Sequence, residues 1–284
     1  MSKFIISGFS DEIDGNTDTQ FKTIKSLGIS YFEPRGIDGK NIADLSEEEA
    51  RGLRAKMDRY GVKASSVGSP VGKIDITDDF EPELLKLSRV IKTAEIIGTE
   101  NIRVFSFYIP DGRYEEYRGE VMKRLARMTE LAKKEGVMLL HENEKGIYGD
   151  TAERCLDIFE TVKSDNLRAV FDPANFVQCG VSTYPHAFEL LKSHVAYMHI
   201  KDARGETVVP AGEGEGHVKE ILSALYADGY EGFLSLEPHL GAFGGLAQLE
   251  KNGEMLKLPE SDAEKFTLAA NALKKIISGV ENNG

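Results

Sequence analysis

Cysteine is scarce in this sequence: Cys155 and Cys179 are the two among 284 residues, too few and too isolated for a disulfide framework or a zinc knuckle. Both are expected to be reduced thiols. Positive charge is also short. Lys and Arg number 35 against 47 Asp and Glu, a formal net charge of -12, whereas a nucleic-acid surface needs clustered cations to displace counterions from phosphates. The balance argues against a nucleic-acid partner. No apolar run approaches the roughly 20 residues that span a bilayer, so no membrane partner is expected. The stretch MSKFIISGFSDEID meets acidic residues almost at once and lacks the apolar core and small-residue cleavage site of a signal peptide. A cytoplasmic location is the expectation. No Pro/Ser-rich linker or low-complexity segment divides the chain.

What the chain does have is alternation. At 41% hydrophobic residues it can bury a large core, as one α/β barrel or as two ordinary domains. Short runs rich in Val, Ile, Phe and Leu recur between longer segments of helical period, the pattern of βα repeats around a parallel sheet. The runs are KFIISGF from Lys3, SYFEP from Ser30, VKASSVG from Val62, NIRVFSF from Asn101, VMLLHE from Val137, LRAVFD from Leu167, VAYMHIK from Val195 and GFLSLE from Gly232. Helices are expected over Thr17 to Leu27, Ser46 to Tyr60, Glu81 to Ile97, Tyr114 to Lys134, Thr151 to Val162, Tyr184 to Leu191, His217 to Ala227 and Asp262 to Ser278. Asp150-Thr151, LSEEEA and SDAEKF supply start signals. KSLGIS, DRYGVK, EIIGTE, KKEGVM and YADGYEG each place a glycine between helix and strand, the usual left-handed stop. Eight such units at this length predict a single (β/α)8 TIM barrel over residues 1–284.

Such barrels place chemistry at the C-terminal ends of their strands. The last four candidate strands end at Glu142 in LLHENE, Asp172 in VFDPANF, His199 in MHIKD and Glu237 in SLEPHL. Three carboxylates converging there would repel unless a cation neutralises them. Mostly oxygen ligands with one imidazole suit Mn²⁺ or Mg²⁺, with Co²⁺, Fe²⁺ or Zn²⁺ as alternatives. Each residue also has a bland explanation: Glu142 paired with Lys145, Asp172 capping the DPAN turn, His199 a satisfied core histidine, Glu237 a solvated loop acid. All four would then have to coincide at equivalent positions of successive strands, so a shared metal site is the better reading.

Other residues carry weaker signals. Strand alternation turns His141 away from the face Glu142 uses, which points to packing or support. Asn143, Asn175, Lys201, Arg204 and His239 lie just past strand ends, where substrate hydroxyls could be met, and Glu144 flanks the site. Glu33 in FEPRG and Arg103 in IRVFS lie on the other half of the barrel, able to pair with each other or to meet substrate. PAGEGEG and LGAFGG lack the strand-GxGxxG-helix register and the P-loop Lys-Ser/Thr, so dinucleotide binding is not expected. The long segment from His239 to Glu260 could form a lid or an oligomer contact. GSPVGKIDITDD could also close over the site, with Lys73 against an anionic group.

HENE at His141, FDPANF at Phe171, HIKDAR at His199, PAGEGEG at Pro210 and LSLEPH at Leu234, in that order, resemble the sugar phosphate isomerase/epimerase family. These are the TIM barrels related to xylose isomerase, inosose dehydratase and the ketose 3-epimerases, and the resemblance covers nearly the whole chain. It implies that Glu142, Asp172, His199 and Glu237 bind one divalent metal, often manganese, with the two glutamates also moving protons. It implies that Arg204 contacts substrate oxygen, and that the protein forms homo-oligomers. Where ketose 3-epimerases have a histidine three residues after the metal-binding aspartate, this chain has Asn175.

The expected activity is a metal-dependent isomerase or epimerase acting on a sugar or related polyol ketone through an enediolate, with Glu142 and Glu237 as bases in a dry site. A dehydratase or lyase acting on a keto-sugar or keto-inositol shares that first step. An AP-site endonuclease would require a histidine-rich three-metal site, and only six histidines are present in the whole chain. A non-catalytic sugar-binding barrel would be expected to have lost a ligand residue, yet all four are present.

Overall fold

The computed structural model describes residues 4–244 and 259–283. Its barrel strands are β1 (Phe4–Gly8), β2 (Tyr31–Phe32), β3 (Lys63–Ala64), β4 (Asn101–Val104), β5 (Met138–Glu142), β6 (Leu167–Phe171), β7 (Val195–Ile200) and β8 (Gly232–Leu236). Six form one parallel sheet in the order β1-β8-β7-β6-β5-β4, and β2 pairs with β3. Two contacts close the ring. Glu33 N donates to Gly8 O at 2.9 Å, and Val67 bridges Ile102 in parallel register. The second and third strands are shorter than SYFEP and VKASSVG suggest, because Pro34 has no N–H for a ladder; one further backbone bond runs from Ser65 N to Phe32 O at 2.9 Å.

Around the ring lie α1 (Thr17–Ser26), α2 (Glu47–Tyr60), α3 (Glu81–Ile97), α4 (Tyr114–Lys134), α5 (Ala152–Val162), α6 (Pro173–Gln178), α7 (Phe188–Leu191), α8 (Val218–Ala227) and α9 (Ala263–Asn283). Start signals act as expected in α2, where Ser46 and Glu49 form a reciprocal capping box. In α9, Asp262 accepts from Lys265 N at 2.9 Å. Thr151 alone caps α5, while Asp150 takes the guanidinium of Arg154. All five predicted stop glycines have positive φ, from 62° at Gly61 to 82° at Gly98. The helix expected over Tyr184 to Leu191 is a correction. Tyr184 is extended (φ -132°, ψ 134°) because Pro185 disfavours a helical residue before it, so the segment is a kinked π-helical turn over Thr183–Ala187 followed by α7. A further short helix, α6, begins directly at Pro173.

Apolar faces of strands and helices merge into a large core, and Leu140, Val170 and Tyr197 form a second, small cluster. Both cysteines are free thiols. Among the described residues no helix is long and apolar enough to cross a membrane.

Gly72 anchors the loop after β3. Its φ is +91° and a Cβ there would run into the carbonyl of Phe105, while its own N–H donates to buried Glu83 at 2.7 Å. Gly72→Ala is expected to cost about 2–4 kcal/mol through backbone strain and overpacking. An unchanged urea midpoint would contradict that.

Candidate metal centre

The site assembles at the C-terminal mouth of the barrel. Glu142 is the last residue of β5, Asp172 directly follows β6, His199 is the penultimate residue of β7 and Glu237 directly follows β8. Register explains the convergence: Ser235 pairs with His199 across β8 and β7, and a side chain two residues on from Ser235 returns to the same face. Ligand-capable atoms of all four residues lie within 4.8 Å of one another, and all four residues are buried. Among the described residues this is the group of His and acids that could hold a metal.

The charge within it is tightly paired. Glu142 Oε1 lies 2.8 Å from His199 Nδ1 and Oε2 3.1 Å from Arg103 Nη1. Glu237 receives Arg35 at 3.1 Å and Lys201 at 3.0 Å. Lys201 also reaches Asp172 Oδ2 at 3.1 Å, an oxygen that gains no aligned hydrogen bond. Burial pushes Asp172 up to about 7 despite Lys201. Burial opposes a charge on His199 too, but the Glu142 and Glu33 carboxylates outweigh it and lift the imidazole to about 10. Thus the cluster collects protons and ammonium groups among its carboxylates, the electrostatic demand a divalent cation would satisfy.

Dryness does not raise the two glutamates. Desolvation pushes each up, yet at Glu142 the neighbouring His199 and Arg103 win, and at Glu237 the cations, led by Lys201, hold the carboxyl well below its ordinary range. Cations placed in the same dry space outweigh burial.

The comparisons with known proteins agree with this architecture. A family profile described as xylose isomerase-like TIM barrel matches residues 21–257. The chain belongs to that family. Similar to it is an uncharacterized protein of Methanocaldococcus jannaschii, 26% identical over 220 residues, covering 74% of this chain and 71% of that one. Among solved structures, D-allulose 3-epimerase from Methylomonas sp. in complex with D-allulose superposes with a TM-score of 0.74 at 16% identity, covering 98% of each chain. The probable 3-DHS dehydratase of petrobactin synthesis from Bacillus anthracis gives 0.72 at 16% identity, over 95% of this chain and 98% of that one. At such identity these two likenesses establish the fold.

Within the family barrel, the flanking residues sort clearly. Asn175 Nδ2 reaches Glu142 Oε1 at 3.3 Å and Asn143 O at 2.9 Å. Asn143 holds the backbone of Asp172 from both sides, each bond 2.9 Å. Lys201 is buried and paired as described. His239 is buried at a positive φ of 45°, with Nε2 3.4 Å from Glu237 Oε1, and burial lowers it to about 4. Arg204 sits exposed in the hairpin formed by residues 202–204 and 207–209 and donates to Glu213 O at 2.6 Å. Lys145 pairs with Glu206 at 3.0 Å, not with Glu142. Lys73 meets Glu144 at 2.9 Å, so the loop after β3 is tied to the one after β5.

His141 turns outward as alternation requires, its ring edge-on to Phe159 at 6.0 Å; neither ring nitrogen finds a hydrogen-bond partner, so its role is packing. PAGEGEG spends its N–H groups on a side chain of its own barrel: Asp202 accepts from Gly212, Gly214 and Gly216 at 2.9, 3.1 and 2.8 Å. Of the segment from His239 to Glu260, residues 245–258 lie outside the described residues; its described ends are joined by Ala242 N to Pro259 O at 2.9 Å.

Three residues escaped the sequence reading. Arg35 forks onto Asp11 at 2.9 and 3.0 Å, reaches Glu12 at 3.2 Å and ends on Glu237. Its guanidinium lies between the rings of Phe9 and Phe243, 4.4 and 4.2 Å from their centroids. Burial raises Glu12 to about 8 even so. The one available signal was position, since Arg35 follows the end of β2 as FEPRG.

Proposed function

We propose that this protein is a divalent-metal-dependent isomerase or epimerase acting on a sugar or related polyol ketone in carbohydrate metabolism. The observation that carries the reading is the buried quartet of Glu142, Asp172, His199 and Glu237, with ligand atoms within 4.8 Å of one another. Three carboxylates and one imidazole suit Mn²⁺ first, with Mg²⁺, Co²⁺, Fe²⁺ or Zn²⁺ as alternatives. When bound, the cation would polarise the substrate carbonyl and stabilise the negative charge that develops as the neighbouring carbon loses its proton.

In this reading the chain's own groups do the rest. Glu237 takes the carbon-bound proton, giving an enediolate of the substrate. Glu142 returns a proton to the opposite face for epimerisation, or to the adjacent carbon for isomerisation. Arg35 and Arg103, both reaching Glu237 Oε1, at 3.1 and 3.6 Å, hold that carboxylate in place, and their charge is available to substrate oxygens. Asn175, Lys201, Arg204 and His239 orient hydroxyls around the mouth. Water is excluded because each ligand is buried, which strengthens every charge interaction at the reacting carbon.

A second reading, a dehydratase or lyase of a keto-sugar or keto-inositol, has one observation in its favour: Asn175 stands where the resembling 3-epimerases carry histidine. Metal analysis of the purified protein, then a screen of ketoses, keto-inositols and 3-keto-sugars in deuterated water, tests both. Deuterium gain with otherwise unchanged product mass supports isomerisation or epimerisation. Loss of water from the product supports the dehydratase. A metal-loaded protein that exchanges no substrate proton overturns both.

A further inference from the structure

Resting on the metal reading above, we propose that Glu33 is a positioning residue: it receives the Nε2–H of His199 and so presents the Nδ1 lone pair to the metal. Nδ1 faces the quartet, 2.8 Å from Glu142 Oε1 and 3.6 Å from Glu237 Oε2. Nε2 faces the other way, 3.3 Å from Glu33 Oε2 without an aligned hydrogen bond, and both side chains are fully buried. A neutral imidazole carries one N–H, and which nitrogen bears it is set by the partner of the other. A carboxylate facing Nε2 favours the proton there and leaves Nδ1 free to ligate. The opposite tautomer would set a lone pair against a buried carboxylate.

Glu33 is itself held. Its Oε2 accepts from Tyr197 at 2.9 Å and Ser235 at 2.7 Å. The Tyr197 hydroxyl continues to Ser65 at 2.8 Å, and Ser65 to Ser7 at 2.6 Å. These residues come from β1, β7, β8 and the ends of β2 and β3, so a polar layer lies across the barrel directly beneath the quartet. Phe9 closes one side, edge-on to the His199 ring at 5.1 Å. A buried carboxylate that accepts from two hydroxyls is costly to keep. Holding a histidine supplies a reason for it. The sequence left Glu33 free to pair with Arg103; instead Arg103 reaches across to Glu142 and Glu237.

The test measures Mn²⁺ affinity of the full chain by calorimetry and by electron paramagnetic resonance. Glu33→Gln and Glu33→Ala are expected to weaken it by roughly 10- to 100-fold, with unchanged circular dichroism. A second measurement needs no variant: long-range proton–nitrogen NMR on Mg²⁺-loaded, nitrogen-15-histidine protein should show His199 protonated at Nε2. Affinities within twofold of wild type in both variants, or a His199 proton on Nδ1 in the loaded protein, overturn the assignment while leaving the metal centre standing. Wild type that binds neither ion overturns the metal reading and this inference with it.

Discussion

Glu237→Gln, saturated with Mn²⁺, is expected to lose exchange of the substrate's carbon-bound proton with solvent by roughly 10²–10⁴-fold, the usual contribution of a positioned general base. The substitution keeps shape and removes the ability to accept a proton. It also takes a negative charge from among Arg35, Lys201 and Arg103, so metal affinity must be measured separately and the variant saturated before exchange is read. Proton exchange at the wild-type rate in a metal-loaded variant would remove Glu237 from the base role. The geometry makes the role demanding. Cations hold Glu237 well below the ordinary carboxylate range, and a base of low pKa abstracts a carbon proton only if that proton is strongly acidified. The same reasoning predicts that exchange depends on the metal throughout.

The second large effect falls on stability. Arg35→Met, which roughly keeps volume, leaves the buried acids Asp11, Glu12 and Glu237 without the cation that they share. Breaking a buried ion pair from one side costs about 3–5 kcal/mol, and a melting temperature lower by on the order of 10 °C is expected. The sign with pH follows. Glu237 is depressed in the wild type, so its ionisation contributes stability above its unfolded pKa, and losing Arg35 removes part of that contribution. Glu12 stands at about 8 with Arg35 lowering it; without Arg35 it rises further, so the unfolding that accompanies its ionisation extends to higher pH. The difference between wild type and variant should therefore grow as pH rises above about 8, the point at which Glu12 ionises in the wild type but not yet in the variant. A difference no larger at pH 9.5 than at pH 7 would show that Glu12 is not the source of the pH dependence.

Particular residues show where reading from sequence succeeds. The stop glycines were legible because a left-handed C-cap is a local demand of the backbone, met within a few residues. The quartet was legible because a barrel maps strand ends onto one rim, so Glu142, Asp172, His199 and Glu237 needed only their places in the repeat. Asp172 proved to be two things at once: a member of the quartet and the N-cap of α6, accepting from Asn175 N at 2.9 Å.

Where partners are remote, that legibility ends. Arg35 and Glu237 are 202 positions apart, and no periodicity says which of many acids a given arginine will meet. Arg204 was placed by its likeness to a family arginine, but its bond to Glu213 O could be read only from the folded hairpin. The sixth predicted helix failed at Tyr184 because Pro185 overrode the surrounding apolar period.

By itself, then, the sequence determined the eight-unit barrel and the residue types at its rim, since both follow from local periodicity, caps and alternation. Only the tertiary structure decided the electrostatics of that rim. Arg35, Arg103 and Lys201 come from different strands to meet the same carboxylates, and Glu33 meets His199 across the barrel. Such pairings depend on which side chains share one small dry volume, where a charge a few ångströms away outweighs the desolvation that any single residue would suggest.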